Sequence, residues 1–146
     1  MLTRTAEHAL RALLYLAQQP EGMLVPASRI AEAIGAPANY LAKTLQGLAG
    51  AGLVRGTRGR VGGYALAVPA KSITVGQVIA AFDSTPEADR CLLGDRACSG
   101  AKPCAAHLRW QHARWAALQA MRSLRIQDLL AGVGSLELAP LAPARF

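Results

Sequence analysis

The sequence predicts a mainly α fold carrying one small β hairpin, and three observations predict it. Apolar residues recur at helical spacing over most of the chain. Two short helical patterns, over residues 26–35 and 37–50, are joined by a tight turn at Gly35. Directly after them, two short apolar runs flank the Gly- and Arg-rich stretch RGTRGRVGG. A helix-turn-helix followed by a β hairpin is the winged helix-turn-helix arrangement, and here a long C-terminal helix follows it.

The elements follow from their residues. Residues 3–19 read as an amphipathic helix with Ala6, Ala9, Leu10, Leu13, Leu14 and Ala17 on one stripe. Thr3 can cap its start, Pro20 follows its end, and Gly22 marks a turn. Ile30, Ala31 and Ile34 give a short helix stopped at Gly35. The next begins at Pro37, turns Leu41, Leu45 and Leu48 inward, and ends at Gly50 and Gly52. Leu53-Val54 and Tyr64-Ala65-Leu66-Ala67 are the expected strands of the wing. Thr74 and Gln77 form a capping box for a helix through Phe82.

Residues 83–103 lose apolar periodicity and read as a loop, and a loop of this length inside a small domain is usually functional. From Cys104 to about Leu124 the helical pattern returns, over about 30 Å. Trp110, Ala113, Ala117, Ala120 and Leu124 line one face; Leu108, Trp115 and Leu118 line a nearly opposite one. A helix apolar on two faces is buried on both, which in so short a chain predicts a second subunit. A short helix over Ile126–Leu130 and a tail with Pro140 and Pro143 complete the chain. The expected organisation is a DNA-binding unit over 1–82, a cysteine-bearing loop over 83–103, a dimerisation region over 104–132 and a flexible tail over 133–146.

Composition narrows the function. In 146 residues, 52% are apolar and 17% charged, which excludes wholesale disorder and fits one domain with an arm. No apolar run reaches the length of a membrane span, so no membrane partner is expected. The N-terminal stretch, with Glu7, spaced arginines and no small-residue cleavage site, does not read as a secretory signal; a cytoplasmic chain is expected. Sixteen Lys+Arg against nine Asp+Glu give a net charge of +7, and thirteen of these cations are Arg, suited to forked contacts with phosphates and base edges.

The second helix of the pair presents Asn39, Tyr40, Lys43 and Gln46 along one side, all able to bond base edges or phosphates. Arg55, Arg58 and Arg60 follow with no acidic residue between them. The expected partner is double-stranded DNA. Asn39, Tyr40 and Lys43 would enter the major groove, Arg58 and Arg60 would track the minor groove or backbone, and Arg4 would add a phosphate contact. His8 and His112 read as surface or packing residues.

Cys91, Cys98 and Cys104 fall within 14 residues, in the spacing Cys-x6-Cys-x5-Cys-x2-His with His107 last. An odd cysteine count in a cytoplasmic chain argues for metal or redox chemistry over a disulfide framework. Three thiolates on a loop leading into a helix suit an iron–sulphur cluster, and His107 lies one helical turn beyond Cys104. Zinc fits less well, because no Cys-x2–4-Cys pair is present. Buried filler is the plain alternative, but a loop with Gly94, Gly100 and Pro103 has little core to fill. A Cys104–His107 dyad has no evident oxyanion hole or substrate pocket, so an enzyme is not expected.

In order and spacing, LTRTAEHALRALLYLA, RIAEAIGAPANYLAKTLQGLAGAGLV, RGTRGRVGGYALA, ITVGQVIAAFD and CLLGDRACSGAKPCAAHLRW resemble the Rrf-type transcription regulators, the family of IscR- and NsrR-like iron–sulphur cluster regulators, over residues 2 to about 130. The resemblance implies a homodimer on a palindromic operator, with the long helix crossing to the partner. It also implies a cysteine loop near the partner's DNA-binding unit. In one branch of the family a histidine placed like His107 is the fourth ligand; in others it is an acidic residue of the first helix from the other subunit, here Glu7. Both stay candidates, and Glu7 also suits the positive end of its helix without any ligand role.

Two features depart from the family pattern. The first cysteine gap is one residue longer than in studied cluster regulators of the family, so the cluster type does not carry over and both 2Fe-2S and 4Fe-4S stay open. The wing reads Gly59-Arg60-Val61-Gly62-Gly63 where many relatives carry Gly-Pro-Gly-Gly-Gly. The resulting expectation is a regulator whose operator affinity is controlled by a cluster sensing redox, nitric oxide or iron–sulphur status. A cluster-free regulator sensing by cysteine oxidation or a small effector is one alternative, and a zinc-stabilised structural or interaction module is another.

Overall fold

Helices dominate the computed structural model, which describes residues 3–82, 91–93, 98 and 100–131. Their order is α1 (Arg4–Ala17), α2 (Ala27–Ile34), α3 (Ala38–Gly50), β1 (Val54–Thr57), β2 (Gly63–Leu66), a 3-10 turn (Ala70–Ser72), α4 (Val75–Phe82), α5 (His107–Arg122) and α6 (Ile126–Ala131). The expected tail and most of the expected cysteine loop lie outside the described residues. The fold is the mainly α winged helix that the sequence predicts.

Helices α1 to α4 start where their residues supply a partner or a fixed dihedral. Thr3 Oγ1 accepts the Ala6 N–H at 3.2 Å and caps α1. The stripe of α1 buries Ala6, Ala9, Ala12, Leu13, Leu14 and Leu16. Gly35, with φ of 66°, takes the left-handed conformation that ends α2 and turns the chain into α3. Both α2 and α3 begin at a proline and have no side-chain cap. Ile30, Ile34, Leu41, Leu45 and Leu48 are fully buried, so the two helices lock onto α1 through one core. At α4 the expected capping box is present: the Thr74 N–H donates to Gln77 Oε1 at 2.8 Å, and the Gln77 N–H donates to Thr74 Oγ1 at 3.2 Å.

The wing is an antiparallel pair with Val54 opposite Leu66 and Thr57 opposite Gly63. Its first strand runs three residues further than Leu53-Val54 suggests, because Arg55, Gly56 and Thr57 pair fully with Ala65, Tyr64 and Gly63. Only residues 58–62 remain as the tip, where Gly59 has φ of 117°. On the other side of β2, Val25 and Tyr64 exchange backbone hydrogen bonds of 2.9 and 2.8 Å. A Cβ on Gly63 would sit 2.6 Å from the Val25 carbonyl oxygen, so this close approach requires glycine.

The long helix is shorter than expected. It begins at His107 instead of Cys104, whose carbonyl accepts the His107 N–H at 3.0 Å in the turn before it. Beyond α5 the chain returns to the first core. Val75 N–H bonds the Leu124 carbonyl at 2.8 Å, Ile126 N–H bonds the Ile73 carbonyl at 2.9 Å, and Ile126 is fully buried among residues of α1 to α4. None of the described helices is long and apolar enough to cross a membrane.

Candidate metal centre and nucleic-acid interface

Burying Leu41, Thr44, Leu45 and Leu48 leaves the opposite side of α3 to solvent, and Asn39, Lys43 and Gln46 are exposed there. Arg58 and Arg60 are exposed at the wing tip, beside Val61. Arg4 is exposed at the start of α1. Among the described residues no ion pair occupies Lys43, Arg58, Arg60 or Arg4; the salt bridge recorded there is Arg29–Glu32 at 3.7 Å. The face therefore combines a polar helix side with unneutralised cations on a neighbouring hairpin, as phosphate binding requires.

Tyr40 behaves differently from its neighbours. Its hydroxyl is hydrogen-bonded to Thr5 Oγ1 on α1, and its ring packs edge-on against His8, with centroids 5.3 Å apart and planes at 72°. His8 is 2% exposed, the packing role expected of it. Its Nδ1 has no partner among the described residues. Burial first, then the nearby Arg4, push its pKa down; Glu7 opposes them and Arg11 adds to them.

The cysteines converge. Cys91, Cys98 and Cys104 place their Sγ atoms within 4.8 Å of one another. Cys91 Sγ and Cys104 Sγ are 3.4 Å apart, and the Cys104 N–H donates to Cys98 Sγ at 3.4 Å. His107, buried in the first turn of α5, sets Nδ1 3.1 Å from Cys98 Sγ. All three thiols are half-buried. At Cys104, hydrogen bonding from the Cys91 thiol and the Ala106 backbone pulls the pKa down. At Cys98 the Cys104 N–H also pulls down, but desolvation and the thiol–thiol contacts outweigh it and hold the group above its ordinary value. Three thiols are soft donors and an imidazole is a borderline one, a set that suits an iron–sulphur cluster or zinc; hard cations prefer oxygen. Within one chain the close group is the three thiols alone, with His107 touching it through Cys98; Glu7 is half-buried on α1.

The comparisons with known proteins bear on both sites. The family model Rrf2, iron-dependent transcriptional regulator, matches residues 2–132. The chain belongs to the Rrf2 family. The HTH-type transcriptional regulator IscR of Escherichia coli is 38% identical over 110 residues, covering 75% of this chain and 67% of that protein. Among solved structures, Staphylococcus aureus CymR superposes with a TM-score of 0.71 at 25% identity, over 91% of this chain and 100% of that one. T. potens IscR gives 0.67 at 26% identity, over 90% and 87%.

Membership in the Rrf2 family makes this chain a DNA-binding transcription regulator, and its relatives are regulators, not enzymes. The structure brings Cys91, Cys98, Cys104 and His107 together, and it leaves Asn39, Lys43, Arg58 and Arg60 exposed on α3 and the wing of this Rrf2 protein. Sequence reasoning missed the tie from Tyr40 to Thr5 and His8. An aromatic on the exposed side of one helix gives no sign of a partner 35 residues earlier in the chain.

Proposed function

We propose that this Rrf2 protein binds a palindromic operator in the cytoplasm as a homodimer, and that an iron–sulphur cluster held by Cys91, Cys98, Cys104 and His107 controls its affinity. The observation that carries the reading is the convergence of three thiols, one of which, Cys98, lies 3.1 Å from the buried His107 imidazole at the start of α5. When bound, a cluster supplies one-electron redox chemistry and reactivity toward nitric oxide. The chain's own residues do the coupling. Cys91 and Cys98 come from the segment before α5, Cys104 lies in the turn leading into it and His107 is its first residue, so ligation ties that segment to the helix. Release of the ligands frees it, and the spacing of the two reading heads changes with α5.

In the DNA complex α3 lies in the major groove with Asn39 and Lys43 at base edges or phosphates, and Arg58 and Arg60 hold the flanking backbone. Arg4 adds a phosphate contact from α1. Glu7 complements the N-terminal end of α1, with no part in ligation. A second reading rests on the 3.4 Å separation of Cys91 and Cys104. These thiols can form a disulfide, giving two electrons and two protons to a peroxide that leaves as two waters, and regulation then runs without a cluster.

The test is a visible spectrum with iron and acid-labile sulfide assays on protein purified without oxygen. A brown protein with sulfide matching iron supports the cluster, and its loss in His107→Ala but not Glu7→Ala supports the ligand set. The reverse pattern assigns the fourth position to Glu7. A colourless protein that stays apo after anaerobic reconstitution sinks the cluster reading; stoichiometric zinc or a peroxide-induced Cys91–Cys104 disulfide then decides what replaces it. Lys43→Ala/Arg58→Ala is expected to weaken DNA binding and to lower the slope of log affinity against log salt by roughly four for the dimer, about one per lost cation.

A further inference from the structure

The first turn of α3 has no cap of its own: Pro37 precedes it and offers no side-chain hydrogen bond. The turn carries Asn39, and Lys43 follows one turn later. What holds this end of the helix is Tyr40. Its ring lies edge-on to the buried His8 ring and its hydroxyl bonds Thr5, so both parts of the side chain are committed to α1. Its carbonyl is also held, accepting Thr44 Oγ1 at 3.2 Å. His8 keeps its place although Nδ1 finds no partner among the described residues, so its ring, packed against Tyr40, is what meets α3.

We propose that Tyr40 is a positioning residue for DNA reading, clamping the first turn of α3 to α1 through Thr5 and His8, and that it reads no base itself. The proposal rests on α3 being the reading helix. Asn39 and Lys43 flank Tyr40, so loosening the clamp displaces both from the register they need in a groove. A small displacement of a positioned polar group removes its hydrogen bond, because such bonds weaken steeply away from good geometry.

The test uses the full chain, anaerobically purified, and a duplex selected by it from a randomised pool. Affinity is read by fluorescence anisotropy, and amide hydrogen exchange over residues 38–41 is read without DNA. Tyr40→Phe and Thr5→Ala are each expected to weaken binding about 3- to 10-fold, the size of one net hydrogen bond. The double variant loses no more than either alone, because both remove the same contact. Exchange over 38–41 quickens in both single variants while the circular dichroism stays unchanged. His8→Phe, which keeps the ring, binds like the unaltered protein. A loss in Tyr40→Phe with Thr5→Ala unchanged in affinity and exchange overturns the proposal and makes the hydroxyl a DNA contact; neutrality of both also overturns it. Lys43→Ala on the same duplex keeps the two readings apart. If it is neutral, α3 is not the reading helix, while the exchange data still judge the clamp.

Discussion

His8 is a base whose surroundings oppose its charge: it is buried, Arg4 and Arg11 lie near it, and Glu7 alone favours the cation. Its folded pKa therefore lies below the ordinary 6.5. As pH falls through 6.5 the unfolded chain takes up a proton that the folded one refuses, so the unfolded state gains. The contribution of neutral, buried His8 is fully present above 6.5 and is lost as pH falls from there through the lowered folded value. His8→Phe removes the group and keeps a ring against Tyr40. Thermal melts between about pH 7.5 and 5 are expected to fall less steeply for the variant than for the unaltered protein. Parallel curves would assign the acid sensitivity elsewhere. At this scale the sequence made legible the exposed side of α3 around Lys43 and the grouping of the three cysteines, which follow from periodicity and spacing. It was read poorly for Tyr40, whose partners Thr5 and His8 are set by the crossing of α1 and α3 and not by any local pattern.

Elements were legible where their signals are local. The α1 cap at Thr3, the Gly35 stop and the Thr74–Gln77 box all stand as expected. Thr74→Ala removes the acceptor for the Gln77 N–H and is expected to cost about 1 kcal/mol in denaturant unfolding, as loss of an N-cap does. A change below a few tenths would show that α4 is held by packing alone. The ends that were misplaced answer to distant groups. The turn at Cys104 stays outside α5, where its N–H serves Cys98 Sγ, so a contact within the cysteine group and not helix propensity marks where the helix starts. Strand β2 is likewise held from outside the hairpin, by Val25, in a bridge no hairpin pattern contains. Gly63→Ala drives a methyl into the Val25 backbone. It is expected to destabilise the wing and weaken DNA binding without touching an arginine, and an unchanged melting temperature would argue against that close approach.

For the whole molecule, the question is what covers α5. One face is only partly covered: Trp110, Ala113, Ala117 and Met121 line an open groove of about 380 Å³ with Leu10, Val75, Ile79 and Leu129, and Ala113, Ala117 and Met121 are exposed. The other face is more open still, for Leu108 is 71% and Trp115 65% exposed. A two-fold axis would bury both side chains twice over, each worth about 1.5–3 kcal/mol. Such burial favours a dimer through a helix whose main partner within its own chain is α4. Trp115→Glu puts one charge per protomer into that surface. Sedimentation is expected to show monomers, and operator affinity to fall about 100-fold or more, because one reading head alone loses the linkage to its twin. The same variant tests the metal centre. With Cys91, Cys98, Cys104 and His107 all from one chain, the monomer keeps its visible spectrum; a ligand donated across the axis, as Glu7 would be, makes the colour disappear with the dimer. Dimers that persist in Trp115→Glu would place the two-fold axis on another surface and leave α5 as a spacer between the metal centre and the winged-helix core.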